Sequence, residues 1–181
     1  MKRVFVAIDI SDEARNRVSA YAEHLRGGLA MGVASWVKAS NLHVTLHFAG
    51  DCRENELSRL TRVVERCSAD RQAFNLAIEG TGAFPNAKRP RVLWLGVQDV
   101  VSALEPLNGC IDSGDPGSFK PHLTIARLKD LRLSRKLVGR HLACAFDRVE
   151  FVVSEIVIYE STLTRVGSVY SVLSKHKLKG S

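Results

Sequence analysis

The sequence predicts an α+β fold of mostly antiparallel sheet arranged in two similar lobes with flanking helices. Three observations lead there. Strand-like runs outnumber helical ones and do not follow simple βαβ alternation. The phrase His-x-Thr-aliphatic occurs twice, in "LHVTLHFAG" (42–50) and "PHLTIARL" (121–128), close to half the chain apart. The 181 residues, 45% hydrophobic and 25% charged, can bury a core without cross-links or metals.

In chain order, "RVFVAID" (3–9) alternates and is β-rich, so it reads as a buried strand. Ser11 is an N-cap, followed by acidic Asp12 and Glu13, and Ala14, Val18, Ala22, Leu25 and Leu29 recur at helical spacing up to Gly27-Gly28 or just past it. "SWV" (35–37) is a short strand, and "NLHVTLHFAG" (41–50) is a longer one closed by Gly50. Residues 54–68 form a helix with Leu57, Leu60, Val63, Val64 and Cys67 on one side. Strand 73–80, loop 81–91 and strand 92–97 follow, then a helix over 99–111 built on Val101, Leu104, Leu107 and Ile111. "DSGDPGS" (112–118) is a loop by composition, and 121–128 is a strand after Pro121. Residues 129–143 are partly helical; 146–153, 155–161 and 168–174 are strands, and the basic tail from about 175 is expected to fray. Nothing is low in complexity and no linker divides the chain, so 1–181 reads as one bilobal domain.

The net charge of +7 favours anionic partners such as nucleic acid. Cys52, Cys67, Cys110 and Cys144 form no C-x-x-C pair and read as reduced packing residues in a reducing compartment. Asp9 interrupts the opening apolar run, so it is not read as a signal peptide, and no stretch approaches a membrane span. A cytoplasmic protein with no membrane association and no obligatory protein partner is expected.

On a strand, alternate side chains share a face. His43, Thr45 and His47 therefore face one way and Leu42, Val44, Leu46 and Phe48 the other; His122 and Thr124 oppose Leu123 and Ile125. Each copy offers an imidazole and a hydroxyl on a rigid mount. Two histidines can divide acid–base work near neutral pH, and two threonines can donate hydrogen bonds to an anion between them, which suits phosphoester cleavage. The competing reading is two buried strands. Metal spacing is absent: His43 and His47 stand four apart, a ligand spacing for a helix and not for a strand. No nucleophile elbow or phosphate loop occurs. Lys88, Arg89 and Arg91 beside Phe84 could steer a polyanion or simply be a solvated loop. Strict alternation turns Arg127 away from His122, so a phosphate role would need a bulge there. Trp36 and Trp94 read as core; His24, His141 and His176 receive no chemistry.

The motifs HVTL (43–46) and HLTI (122–125), with "RVFVAIDI", "GAFPNAKRPRVLWLGV", "FKPHLTIARL" and "IVIYES", resemble the 2H phosphoesterase superfamily, and within it the LigT-like RNA 2′,3′-cyclic phosphodiesterases, also called 2′-5′ RNA ligases. The resemblance runs over nearly the whole chain. It implies two pseudo-symmetric lobes around a central cleft faced by the motif strands. It implies hydrolysis of RNA 2′,3′-cyclic phosphate ends, tRNA halves among them, to a 2′-phosphate, with 2′-5′ ligation as the reverse reaction and no metal or organic cofactor. By position, His43 matches the proton donor and His122 the proton acceptor, and Thr45 and Thr124 match the phosphate contacts. His47 lies outside the family motif. Two alternatives stand beside this: action on a small cyclic nucleotide or ADP-ribose cyclic phosphate, and a non-catalytic RNA-binding module.

Overall fold

The computed structural model describes residues 1–112, 119–165 and 167–180. The elements, in order, are β1 (Lys2–Asp9), α1 (Asp12–Arg26), β2 (Ala34–Trp36), β3 (His43–Cys52), α2 (Glu54–Ala69), β4 (Phe74–Phe84), β5 (Val92–Gln98), α3 (Leu104–Ile111), β6 (His122–Leu128), α4 (Arg135–Ala143), β7 (Val149–Val153), β8 (Glu155–Thr164) and β9 (Gly167–Lys177). The strands form one antiparallel sheet in the order β7-β4-β5-β6-β3-β1-β8-β9, with β2 on β6. The α+β class expected from the sequence is what the chain adopts.

The two halves of that order are the two lobes. In the first, α2 and α3 pack on β3, β8 and β9; in the second, α1 and α4 pack on β4 and β7. Each half therefore lends a helix to the other: α1 follows β1 but lies on the second lobe, and α3 follows β5 but lies on the first. The lobes meet where β3 pairs with β6 through Val44 and Leu123. Both of those residues are fully buried, which pins the two motif strands side by side.

Local chemistry explains the elements. The Ser11 hydroxyl accepts a hydrogen bond from the Ala14 amide at 3.2 Å and caps α1, which buries Ala14, Val18, Tyr21 and Leu25. In α2 the Glu56 carboxylate reaches back to the Arg53 amide at 2.7 Å. The Asp99 carboxylate accepts from the Leu104 amide at 2.6 Å, so α3 begins at Leu104 and not at 99. Val101 is exposed as a result.

Three further expectations are corrected. Strand β4 runs on to Phe84, so the basic loop is confined to 85–91. The tail does not fray: β9 reaches Lys177, Leu178 is buried, and Lys179 bonds through its backbone to Arg71 and Ala73. Cys67 of α2 and Cys110 of α3 are joined in a disulfide with Cα atoms 6.0 Å apart, because the two helices pack directly on each other. Only Cys52 and Cys144 remain thiols. Most of the 112–118 loop lies outside the described residues. No described helix is long and apolar enough to cross a membrane.

Candidate active site

A cleft of about 570 Å³ lies over the junction of β3 and β6, and His43, Thr45, His122 and Thr124 all line it. The two copies of the phrase thus come together in one site. Register explains how. In β1, Asp9 and Ala7 stand opposite His43 and Thr45; in β5, Gly96 and Trp94 stand opposite His122 and Thr124.

Both imidazoles are held the same way. His43 Nδ1–H donates to the Asn41 carbonyl at 2.7 Å, and His122 Nδ1–H donates to the Lys120 carbonyl at 2.7 Å. A carbonyl only accepts, so Nδ1 carries the proton in each neutral ring, and Nε2 is left to exchange a proton with a ligand. The Thr45 hydroxyl lies 3.1 Å from His43 Nε2. Aromatic rings clamp each imidazole: Phe5 at 4.8 Å and Tyr170 at 5.4 Å beside His43, Phe84 at 4.8 Å and Trp94 at 6.4 Å beside His122. Gly82 makes room for this second set, since a Cβ there would collide with the Trp94 ring. Trp94 is therefore a half-buried wall behind His122 and not a core residue alone.

Each motif strand bulges at the fourth residue of its motif. Leu46 is skipped between the pairs Ala7–Thr45 and Val6–His47, and Ile125 is skipped between Trp94–Thr124 and Leu93–Ala126. The extra residue flips the face of everything that follows. His47 consequently leaves the cleft for the helix side, where its Nδ1 meets the Asp112 carboxylate at 2.8 Å. Phe48, expected in the core with Leu46, instead lines the cleft and is 70% exposed. Arg127, which alternation turned away from His122, also lines the cleft. Long-range partners hold the bulges: Asn108 Nδ2 of α3 donates to the Leu46 carbonyl at 2.7 Å, and the Val37 amide donates to the Ile125 carbonyl at 2.9 Å.

Burial is the main influence on both imidazoles and pushes both pKa values below the ordinary histidine value. The charges around them differ. Asp9 favours the cationic form of His43, against smaller opposing effects of His122 and Arg15, whereas Arg127 disfavours the cationic form of His122. Asp9 is held by the Tyr159 hydroxyl, 2.8 Å from both carboxylate oxygens. Lys88, Arg89 and Arg91 are exposed on the loop that leaves the cleft at Phe84. Among the described residues no group of three or more His, Cys, Asp or Glu is placed to hold a metal ion.

Comparison with known proteins identifies the family. Residues 8–94, which include the first motif, match the family model of LigT-like phosphoesterases. A curated protein of Aquifex aeolicus named RNA 2′,3′-cyclic phosphodiesterase is 31% identical over 90% of this chain and 92% of its own. One of the same name from Methanothermobacter thermautotrophicus is 32% identical over 97% and 98%. The crystal structure of a Thermus thermophilus protein, TT0787, superposes with a TM-score of 0.77 at 28% identity, covering 98% of both chains.

Proposed function

The chain belongs to the family of LigT-like phosphoesterases, and from that premise we propose that it hydrolyses RNA 2′,3′-cyclic phosphate ends to 2′-phosphates by two-histidine acid–base catalysis. The observation that carries the reading is the pair of imidazoles on adjoining strands of one cleft, each with Nδ1 tied to a backbone carbonyl, and with the Thr45 hydroxyl 3.1 Å from His43 Nε2.

The steps follow from the charges. Burial lowers the pKa of both rings, and at His122 the neighbouring Arg127 disfavours the cationic form further; its Nε2 is assigned the acceptor role and takes a proton from water. The resulting hydroxide attacks phosphorus in line with the P–O3′ bond. His43, whose cationic form Asp9 favours, delivers its Nε2 proton to O3′ as that bond breaks. One P–O bond forms and one breaks, the 2′-ester stays, and the proton balance is zero. Thr45, Thr124 and Arg127 supply donors and positive charge to the phosphoryl oxygens, where charge develops in the transition state. With a 5′-hydroxyl in place of water as the attacking group, the same groups in the same roles make a 2′-5′ linkage: its oxygen bonds to phosphorus as the P–O3′ bond breaks. Cyclic ends left by cytoplasmic RNA cleavage, tRNA halves among them, are the substrates proposed, with no metal in the chemistry.

The test is incubation of a defined RNA 2′,3′-cyclic phosphate in EDTA, with the product end identified. A 2′-phosphate is the expected product. A 3′-phosphate, or activity lost in EDTA and restored by one divalent metal, would contradict the mechanism.

A further inference from the structure

We propose that a basic surface outside the cleft, on the second lobe, holds the RNA strand whose 5′-hydroxyl attacks in the joining reaction; the inference rests on the cyclic phosphodiesterase reading above. Two segments build it. The loop between β4 and β5 carries Lys88, Arg89 and Arg91, and the turn from β6 into α4 carries Lys129, Arg132, Arg135 and Lys136; all are exposed. The segments adjoin, because the Leu128 amide donates to the Arg91 carbonyl at 2.9 Å. Together they hold seven of the chain's 26 Lys and Arg residues and, in Asp130, one of its 19 Asp and Glu residues, so most of the net charge of +7 resides there. None of these cations has an ion-pair partner among the described residues. Asp130 is occupied by its own turn, where Oδ1 accepts from the Arg132 and Leu133 amides at 2.7 and 2.9 Å. Arg135 and Lys136 lie in the first turn of α4, where the helix dipole disfavours cations, and that turn has no acidic residue. A polyanion relieves this crowding.

The backbone that presents these side chains is fastened. Asn86 Oδ1 accepts from the Lys88 and Arg89 amides at 3.0 Å each. The Lys129 amide and the hydroxyl of the buried Ser134 both donate to the Val33 carbonyl, at 3.1 Å each. In-line geometry says which strand lies there. The attacking oxygen approaches phosphorus opposite O3′. In the proposed mechanism the attacker gives its proton to His122, on β6, while O3′ and its ribose lie towards His43, on β3. The cyclic-phosphate strand therefore leaves over the first lobe and the attacking strand arrives over the second, which carries both basic segments. Arg127 and Val92 line the cleft and stand opposite each other, two residues before Lys129 and one after Arg91, so the surface begins at the cleft mouth. Joining needs no further reactant: the 5′-oxygen bonds to phosphorus, the P–O3′ bond breaks, the hydroxyl proton passes to His122 Nε2 and the His43 proton to O3′. Each nucleotide that follows the 5′-hydroxyl brings one phosphate, which suits a row of cations and asks for no base sequence.

The probe is a 5′-hydroxyl oligoribonucleotide ending in an ordinary 2′,3′-diol, which can attack but cannot be attacked. Its Kd is measured by fluorescence anisotropy against salt, for wild type and for a variant combining Lys129→Gln, Arg132→Gln, Arg135→Gln and Lys136→Gln. The slope of log Kd against log salt should fall by about 0.7 for each phosphate contact removed, up to about 3 for all four changes. With a second RNA that carries the cyclic phosphate and a subsaturating probe, the ratio of joined to hydrolysed product should fall in the same proportion as Kd rises. Turnover of adenosine 2′,3′-cyclic phosphate, which involves no second strand, should be unchanged and shows that the variant is folded. An unmoved Kd and slope would overturn the proposal, as would a wild type that binds the probe and joins none of it. A raised KM for hydrolysis of the cyclic-ended RNA, with the joining ratio unmoved, would move the surface to the other strand and overturn it too. Absence of wild-type turnover on adenosine 2′,3′-cyclic phosphate would overturn the reading of the reaction instead, and the Kd comparison would still decide whether the surface holds RNA.

Discussion

The half-site on β3 and the half-site on β6 repeat the same plan with different charges. Each has a histidine whose Nδ1 is bound by a carbonyl two residues back, a threonine two residues on, a skipped residue after that, and a clamp of aromatic rings. The difference lies in what surrounds the plan. The Asp9 carboxylate and, more weakly, the Arg15 guanidinium act on His43; Arg127 acts on His122. A duplicated strand thus supplies two similarly held imidazoles, and in the proposed mechanism the difference in nearby charge separates the acid from the base. The lesson is that the motif positions the rings, while residues outside it make their surroundings differ.

The comparison breaks most visibly if either ring is removed. His43→Ala and His122→Ala should each lower kcat by about 10²–10⁴-fold, and the double variant should lose far less than the product of the two, because the rings act in one proton circuit. Steady-state kinetics on folded variants measure this. Next in size, Arg127→Gln should lower kcat by about 10²–10³-fold, the scale for one donor to a developing anion, with single-turnover assays separating chemistry from binding.

The lobes are also anchored differently. The first carries the Cys67–Cys110 cross-link between α2 and α3, and α3 in turn holds the Leu46 bulge through Asn108. Reduction should lower stability in urea by about 2–4 kcal/mol, the usual range for such a cross-link. The second lobe is anchored by His141, fully buried, whose Nε2–H is shared between the Gly82 and Trp94 carbonyls at 3.0 and 3.1 Å and whose Nδ1 faces the Tyr21 hydroxyl at 3.0 Å. Burial holds its pKa below the unfolded value. The neutral ring therefore contributes stability in full above about pH 6.5, and the contribution is lost as pH falls through the depressed folded value. Urea midpoints for wild type and His141→Gln across that range should converge on acidification.

The smallest effects are shifts of the pH–rate profile. Asp9→Asn removes the charge that favours protonated His43, so the alkaline limb of kcat/KM should move to lower pH. Arg127→Gln removes the charge that disfavours protonated His122, so the acid limb should move to higher pH. Movement of both limbs in the same direction would mean that the neighbours do not distinguish the rings.

Much of this was legible in the sequence. Alternation located the motif strands, the Ser11 cap located α1, and the two phrases, with the resemblance they carry, pointed to His43, Thr45, His122 and Thr124 as one group. What alternation could not show was the pair of bulges, because a skipped residue is decided by the partner strand and by distant groups such as Asn108 and Val37. That one omission put Phe48 in the core, His47 in the cleft and Arg127 outside it, all three reversed in the structure. The disulfide was equally hidden, since its cysteines are 43 residues apart and are paired only by helix packing. The tail was misread because its composition is basic while one residue, Leu178, is buried.

The assignment of acid and base is tested most directly with a substrate whose 3′ bridging oxygen is replaced by sulfur, which departs without needing a proton. Turnover of this substrate should be partly restored in His43→Ala and remain lost in His122→Ala. Restoration in His122→Ala, with none in His43→Ala, would reverse the two roles and contradict the account.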